Sequence, residues 1–303
     1  MGFSPFSKFG RYSTALPVSY GKTFFVHSSG TGAYQRIADR FGFDEDGVNR
    51  VFTTIAAAVA VCTASQGDTI YVLEGHTETL TAALTLSVAG ISVIGLGTGK
   101  LRPTLTGNGA IDAVDITAAN VTFENFAFAA PDTDNQTAMI NVAAAGATIR
   151  KIYGIGSTTA KNVVDCITIA TGADDCTIED VQLYNTTVAV NSFISIEAAV
   201  ARLSLVNVRC FGDVVAGGLI DAAAATHLFM EDVRIAVVGT TKPAATLDSN
   251  PTGMARNCFF SGTSTTLAAN GALGNAMRVD NIKVLEATDN AFSAAIIPAV
   301  DVE

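Results

Sequence analysis

V-T-F-E-N-F-A-F, residues Val121 to Phe128, is the stretch whose reading decides the fold. Its template, apolar–x–apolar–x–Asn/Asp–apolar–x–apolar, returns as A-T-I-R-K-I-Y-G from Ala147, C-T-I-E-D-V-Q-L from Cys176 and L-S-L-V-N-V-R-C from Leu203. Three more copies follow: L-F-M-E-D-V-R-I from Leu228, G-M-A-R-N-C-F-F from Gly253 and M-R-V-D-N-I-K-V from Met277. The first inward residues are Phe123, Ile149, Ile178, Leu205, Met230, Ala255 and Val279, so the steps are 26, 29, 27, 25, 25 and 24 by subtraction. A period of that length marks one supersecondary unit that buries its apolar side only by stacking on its neighbours. Alternation with a period of two makes the units strands.

The fifth template position holds Asn125, Lys151, Asp180, Asn207, Asp232, Asn257 and Asn281, and Gly95 occupies it in the earlier coil I-S-V-I-G-L-G from Ile91. Asn, Asp and Gly tolerate the left-handed backbone region. One such residue between two short strands bends the chain sharply and keeps both flanking apolar side chains inward. At a spacing of about 4.8 Å, the carboxamides and carboxylates of this ladder can also bond from coil to coil. Only Lys151 departs from the column. The expectation is an all-β chain, a parallel β-helix of about nine coils.

Composition narrows the function classes. Charged residues are 15% of the 303 and the mean hydropathy is +0.38, yet no apolar run is long enough to span a membrane. The surplus apolar area is therefore expected inside the coil or against other subunits. The formal charge is −10; residues 1–50 carry six basic and four acidic groups, net +2, leaving −12 for the rest. An acidic body argues against nucleic-acid binding. Five cysteines without a C-x-x-C spacing suit neither a disulfide framework nor a zinc site, and no cofactor is implied. Synthesis in the cytoplasm is the natural reading.

Residues 1–50 read as an anchoring arm, with aromatics at short spacing among Ser, Pro and Gly; Phe3, Phe6, Phe9, Arg11, Tyr12 and Tyr20 are its candidate interface residues. The G-K-T at Gly21–Thr23 lacks the preceding glycine of a phosphate loop, and D-E-D-G at Asp44–Gly47 reads as a turn rather than a calcium loop. Residues 51–66 predict a capping helix with Thr53 or Thr54 as N-cap and Ile55, Val59 and Cys62 on one face. The β-helix should run over 67–290, and 291–303 should form a closing cap.

The order T-I-A-A-A-V, G-D-T-I-Y-V-L-E-G-H-T-E-T-L and then N-V-T-F-E-N-F resembles the pectate-lyase-like superfamily of right-handed parallel β-helices. The opening G-K-T-F-F-V-H-S-S-G-T-G-A-Y followed by D-E-D-G-V-N-R-V-F-T-T-I is similar to virion-associated β-helix proteins of tailed bacteriophages. That resemblance implies a homotrimer, non-enzymatic, decorating or cementing the capsid through the major capsid protein or another virion protein; the alternative is a tailspike or receptor-binding protein that binds or cleaves host polysaccharide.

Between template copies a second strand pair recurs: Val114/Ile116, Ile140/Val142, Ile167/Ile169, Ile194/Ile196 and Leu219/Ile220, each followed by a small-residue turn such as A-A-A-G-A. Stacked, these turns would form a flat, uncharged, Ala-rich strip, either a tight corner or a face for sister subunits. The carboxylate pairs most suited to catalysis are Asp174/Asp175, Glu179/Asp180 and Glu231/Asp232, but the fourth template position interleaves acid and base coil by coil, as a solvated strand face does. Most coil aromatics fall at inward positions, with Tyr153 and Phe229 facing out. His76, in E-G-H-T, reads as a turn hydrogen-bonder. No catalytic and no metal residues are expected.

Overall fold

The computed structural model describes residues 21–28 and 49–285, apart from 132–135, 157–161, 186–189, 239–240, 249–250, 264–270 and 274–275, with a few further positions at 36, 38–40, 42, 47 and 293–294. The chain is an all-β, right-handed parallel β-helix with three strand faces per coil. The anchoring residues Phe3, Phe6, Phe9, Arg11, Tyr12 and Tyr20 and most of the C-terminal cap lie outside the described residues.

Face one carries the first half of the template. Its in-register column runs Phe24, Ile70, Val93, Phe123, Ile149, Ile178, Leu205, Met230, Ala255, Val279, every neighbouring pair parallel. All but Val279, which is partly buried, are sealed from solvent. This is the register the 24-to-29-residue steps require. Face two carries the second half, from Thr77–Leu80 and Thr104–Gly107 to Lys283–Leu285. Its inward column is Leu105, Phe128, Gly154, Leu183, Cys210, Ile235, Phe260, Val284. At Gly154 a Cβ would lie 2.8 Å from Met139 Sδ. A neighbour's side chain fills that gap instead.

Face three contains the second strand pair. Leu84, Val114, Ile140, Ile167, Ile194 and Leu219 stack in one column. In the last of these coils, however, the register shifts between Val190 and Ser192, and Asp221 rather than Ile220 takes the place across from Ile196. Asp221 is buried, and its carboxylate accepts from the amides of Ala223 (3.2 Å) and Ala225 (3.0 Å). A carboxylate is tolerated inward there because it closes the D-A-A-A-A turn onto two backbone donors.

The corner between faces one and two is made as the ladder predicts. Asn125, Lys151, Asp180, Asn207, Asp232, Asn257 and Asn281 all sit at φ between +49° and +65°. Gly95 does not share that conformation. It is needed because a Cβ there would fall 2.2 Å from the Asn125 carbonyl oxygen, while Asn125 Nδ2 donates to the Gly95 and Gly97 carbonyls at 2.7 and 3.0 Å. Lys151 keeps the left-handed backbone without a carboxamide. Its ammonium bonds Glu124 at 2.7 Å, an ion pair that holds it in the conformation its neighbours adopt by preference.

A second left-handed column, absent from the template, closes the corner from face three to face one: Ser65, Gly90, Asn120, Gly146, Asp175, Arg202 and His227. Each amide from Ser65 to Arg202 donates to a carbonyl of the next coil at 2.8 to 2.9 Å. The Ala-rich strip beside it is not uncharged throughout, because Arg202 pairs with Asp175 at this corner through Nε and, at 2.7 Å, Nη2.

The solenoid begins earlier than the sequence predicts. Thr23–Val26, within the stretch read as arm, pairs in parallel with Thr69–Val72 and forms a rung. The capping helix is shorter than 51–66: it spans Ile55–Val59, with Thr54 Oγ1 accepting from the Ala57 amide at 3.3 Å. Val51–Phe52 is instead a strand on the first rung. Ile55, Ala58 and Val59 are buried and Cys62 packs partly against the core, so the helix covers the open end of the stack as its apolar stripe implies.

Candidate binding groove

Of the carboxylate pairs singled out from sequence, Asp174, Asp175, Asp180 and Glu231 are engaged in bonds between coils. Asp174 Oδ1 accepts from the Ala201 amide at 2.7 Å, Asp175 holds Arg202, and Asp180 accepts from Asn207 Nδ2 at 2.6 Å. On face one, Glu231 pairs with Arg256, and Glu124 with Arg150 (2.6 Å) and Lys151. Burial pushes the Glu124 carboxyl up, but the Lys151 and Arg150 hydrogen bonds outweigh it and leave the group below its ordinary value. These groups neutralise one another on the solvent side of the strands, the arrangement that alternating signs at the fourth position imply.

Face two behaves differently. The seventh template residue points outward, and stacking places Ala127, Tyr153, Gln182, Arg209, Arg234, Phe259 and Lys283 in one line, each in register with the next. Beside it, two positions on, Tyr184 and Phe211 stack with centroids 6.3 Å apart and planes 20° from parallel. Phe211 is 49% exposed and Tyr153 38%. The exposed edge of the corner ladder, Asp232, Asn257 and Asn281, forms the opposite wall of a groove of about 770 Å³. A second depression of about 630 Å³ continues it toward Lys100 and Arg102, sharing Tyr153 and Gln182. The corner residues thus have two roles, as bend and as wall.

Arg209, Arg234, Phe211 and Tyr184 are functional candidates that periodicity does not single out. The signal available in sequence is the seventh letter of the quoted repeats, A, Y, Q, R, R, F, K, which becomes a pattern only when the coils are stacked. Of the aromatics expected to face out, Tyr153 lines the groove, whereas Phe229 lies on face one, where it pairs with Ser204 and Met254.

At the N-terminal end, His76 is fully buried. Its Nδ1 lies 3.3 Å from Ser28 Oγ and its Nε2 3.1 Å from Glu78 Oε2. The three residues follow the order of a hydrolase triad, but each has a structural engagement as well: Ser28 Oγ donates to the Thr77 carbonyl at 3.3 Å, and Glu78 accepts from the Ile55 amide at 3.2 Å. The His27 ring stands 6.3 Å from that of His76. The cluster ties the first rung, the capping helix and the start of the Thr77–Leu80 strand together. Among the described residues no group of three His, Cys, Asp or Glu side chains could hold a metal ion, and no helix is long and apolar enough to cross a membrane.

No protein-family model matches the chain, and no curated protein does either. Among solved structures the chain is similar to a rhamnogalacturonan lyase, with a TM-score of 0.55 and 12% identity over 80% of this chain and 70% of that one. ORF18 of Geobacillus virus E2 matches with a TM-score of 0.33 and 12% identity over 94% of this chain and 65% of that one, a score on which no structural argument rests. At such identity, what the chain shares with the lyase is the parallel β-helix fold.

Proposed function

We propose that the chain is a structural protein of a bacteriophage virion, a homotrimeric β-helix that decorates or cements the capsid without catalysis. The observation that carries this reading is the use of the carboxylates. Asp174, Asp175, Asp180, Glu124 and Glu231 each bond a neighbouring coil, as befits groups that fasten a rod. A glycosidase needs two carboxylates held apart with divergent affinities for protons. The similarity of residues 21–80 to virion-associated β-helices supports the placement on the particle. The partner is the major capsid protein or another virion protein, met through residues 1–20, where Phe3, Phe6, Phe9, Arg11 and Tyr12 supply interface anchors.

The test is deletion of residues 2–20, followed by light scattering of the purified protein and an incorporation assay on assembling particles. Loss of incorporation with the trimer intact supports the reading. Unchanged incorporation removes the anchor, a monomer removes the trimer, and shortening of host surface polysaccharide by the purified protein overturns the non-catalytic role.

A further inference from the structure

Face three differs from the other two in charge. Its strands Leu84–Leu86, Asp112–Ile116, Gln136–Val142, Val163–Ile169 and Val190–Ile196 hold no Lys, Arg or His. They do hold Asp112, Asp115 and Asp165, and Glu197 follows the last of them. Lys242, on the segment that enters the face two coils later, is tied to the Val215 carbonyl at 2.5 Å. Asp165 accepts from Asn191 Nδ2 (2.9 Å) and Ser192 Oγ (2.5 Å), and Asp115 from Asn141 Nδ2 (3.0 Å), so the donors within the coils are neutral. Burial and then Asp115 push the Asp112 carboxyl up; burial, then Asp165 and Asp112, push up that of Glu197. Stacking sets Asp115, Asn141, Thr168 and Ser195 in one outward column. Thr168 and Ser195 are only 8% and 7% exposed, and among the described residues their hydroxyls have no hydrogen-bond partner. Groups so enclosed are as a rule bonded. The strip thus presents crowded carboxylates and two sealed hydroxyls to a donor from outside these coils.

We propose that face three is a seat for the chain's own N-terminal segment, residues 1–20, laid along the rod axis over the strip from Asp112 to Glu197. That segment carries Lys8 and Arg11 and no Asp or Glu, so its charge complements the strip. An ammonium and a guanidinium only donate and an ionised carboxylate only accepts, while the Thr168 and Ser195 hydroxyls can do either toward a passing backbone. The topology brings the segment to the right edge. A Cβ on Gly21 would lie 2.1 Å from the Gly67 carbonyl oxygen, so Gly21 sits on Gly67, two residues past Ser65 in the corner column from face three to face one. The chain before Gly21 therefore leaves the rod beside face three. Asp112 and Glu197 lie two and five rungs beyond the first, about 10 and 24 Å along the axis. Lys8 is 13 residues before Gly21 by subtraction, a reach of about 43 Å when extended. A tethered segment meets its seat at an effective concentration in the millimolar range, so contacts that are individually weak, as exposed ion pairs are, suffice to populate it.

A single divalent ion fits the strip less well, because among the described residues no three carboxylates could hold one; the charges are spread along the axis, as cations on a chain are. The seat depends on face three and residues 1–20 alone. It stands whether or not the same segment is later released to a capsid.

The experiment is limited trypsin digestion of the full chain, with cleavage after Lys8 and Arg11 followed by mass spectrometry against a free peptide of residues 1–20 in the same tube. Such cleavage follows the population of the released segment. The expected result is slower cleavage in the chain than in the peptide, with the difference shrinking as salt is raised. Asp112→Asn with Glu197→Gln should speed it at least about tenfold, a loss of about 1.4 kcal/mol. Glu179→Gln, on face one, should leave it unchanged. Both face-three substitutions relieve repulsion within the rod, so faster cleavage does not come from a loosened rod, and thermal unfolding of each variant checks this. Cleavage of the parent chain as fast as the peptide overturns the proposal. Slow cleavage that the double variant does not alter overturns it in favour of a seat elsewhere. Protection that fades on dilution overturns it in favour of the segment of a second copy. Calorimetric binding of spermidine by the parent but not by the double variant, with the segment cleaved at the full rate, assigns the strip to a free polyamine instead.

Discussion

Replacing Asn125 by alanine removes two separable contributions to the corner ladder. The backbone there is held at φ +65°, where a Cβ crowds the following carbonyl and an ordinary residue loses about 1–2 kcal/mol. The carboxamide also donates to the carbonyls of Gly95 and Gly97 at 2.7 and 3.0 Å, and each neutral bond of this kind contributes about 0.5–1.5 kcal/mol net. Together the expected loss is about 2–5 kcal/mol. Asn125→Gly separates the two, because glycine accepts the left-handed backbone but restores neither bond, so its loss should be the smaller. Gly95→Ala attacks the same contact from the other side, placing a Cβ 2.2 Å from the Asn125 carbonyl oxygen, and should be at least as damaging as Asn125→Ala. Stacked coils need not unfold in one step. The assay is therefore guanidinium unfolding followed by circular dichroism, together with hydrogen exchange at the Asn125 amide, which bonds the Arg150 carbonyl at 3.0 Å. Equal losses in the alanine and glycine variants would refute the backbone contribution. Losses within about 0.5 kcal/mol of the parent for both, the range of an ordinary surface substitution, would refute the ladder itself.

Further expectations concern titration. The Glu124 carboxyl, held low by Lys151 and Arg150 against its burial, stabilises the rod above the ordinary carboxylate range, and that stability is lost as the pH falls through the group's folded value. Glu124→Gln should therefore lower the unfolding midpoint at pH 7 and leave it unchanged in strong acid; an equal effect at both would sink the linkage. Asp112 has the opposite sign, because burial and then Asp115 push its carboxyl up. The fold is weakened as the pH rises through that raised value, so Asp112→Asn should be stabilising at neutral pH and neutral in acid, and a destabilised variant at pH 7 would contradict this. The five cysteines are free. Burial, then Asp68, pushes the Cys62 thiol up to about 12, and burial leads among the causes that raise Cys258 to about 11. Both, with the sealed Cys166 and Cys210, should resist a thiol-disulfide reagent at pH 8 until denaturant is added; rapid modification of the native protein would show that the core opens.

The fold was legible because burial leaves a periodic trace. Only apolar residues can occupy Phe123, Ile149 and Ile178, and only Gly, Asn or Asp sits at a left-handed corner without cost, so both columns could be drawn from letters alone. Lys151 shows the limit of that logic. It meets the same backbone requirement through an ion pair with Glu124, and no local rule foretells a contact to the preceding coil. The second left-handed column mixes Ser65, Gly90, Asn120, Gly146, Asp175, Arg202 and His227, a set too varied to read as a ladder, since backbone bonds between coils satisfy that corner whatever the side chain. The first rung was missed for a related reason: Thr23–Val26 is separated from its partner strand Thr69–Val72 by more residues than the later coils, so it falls outside the period.

The groove was hidden by the same physics that made the core visible. An outward strand position imposes no packing requirement, so almost any polar or aromatic residue is allowed, and a lone Arg209 or Tyr153 reads as an ordinary solvated side chain. What gives those residues meaning is superposition. Strands that are distant along the chain are brought to one rung spacing, so three cations and two aromatic rings, each unremarkable in its own repeat, converge on one line. In a solenoid, therefore, the inward columns specify the rod, while the make-up of a surface groove is set down the outward columns, read along the axis instead of along the sequence.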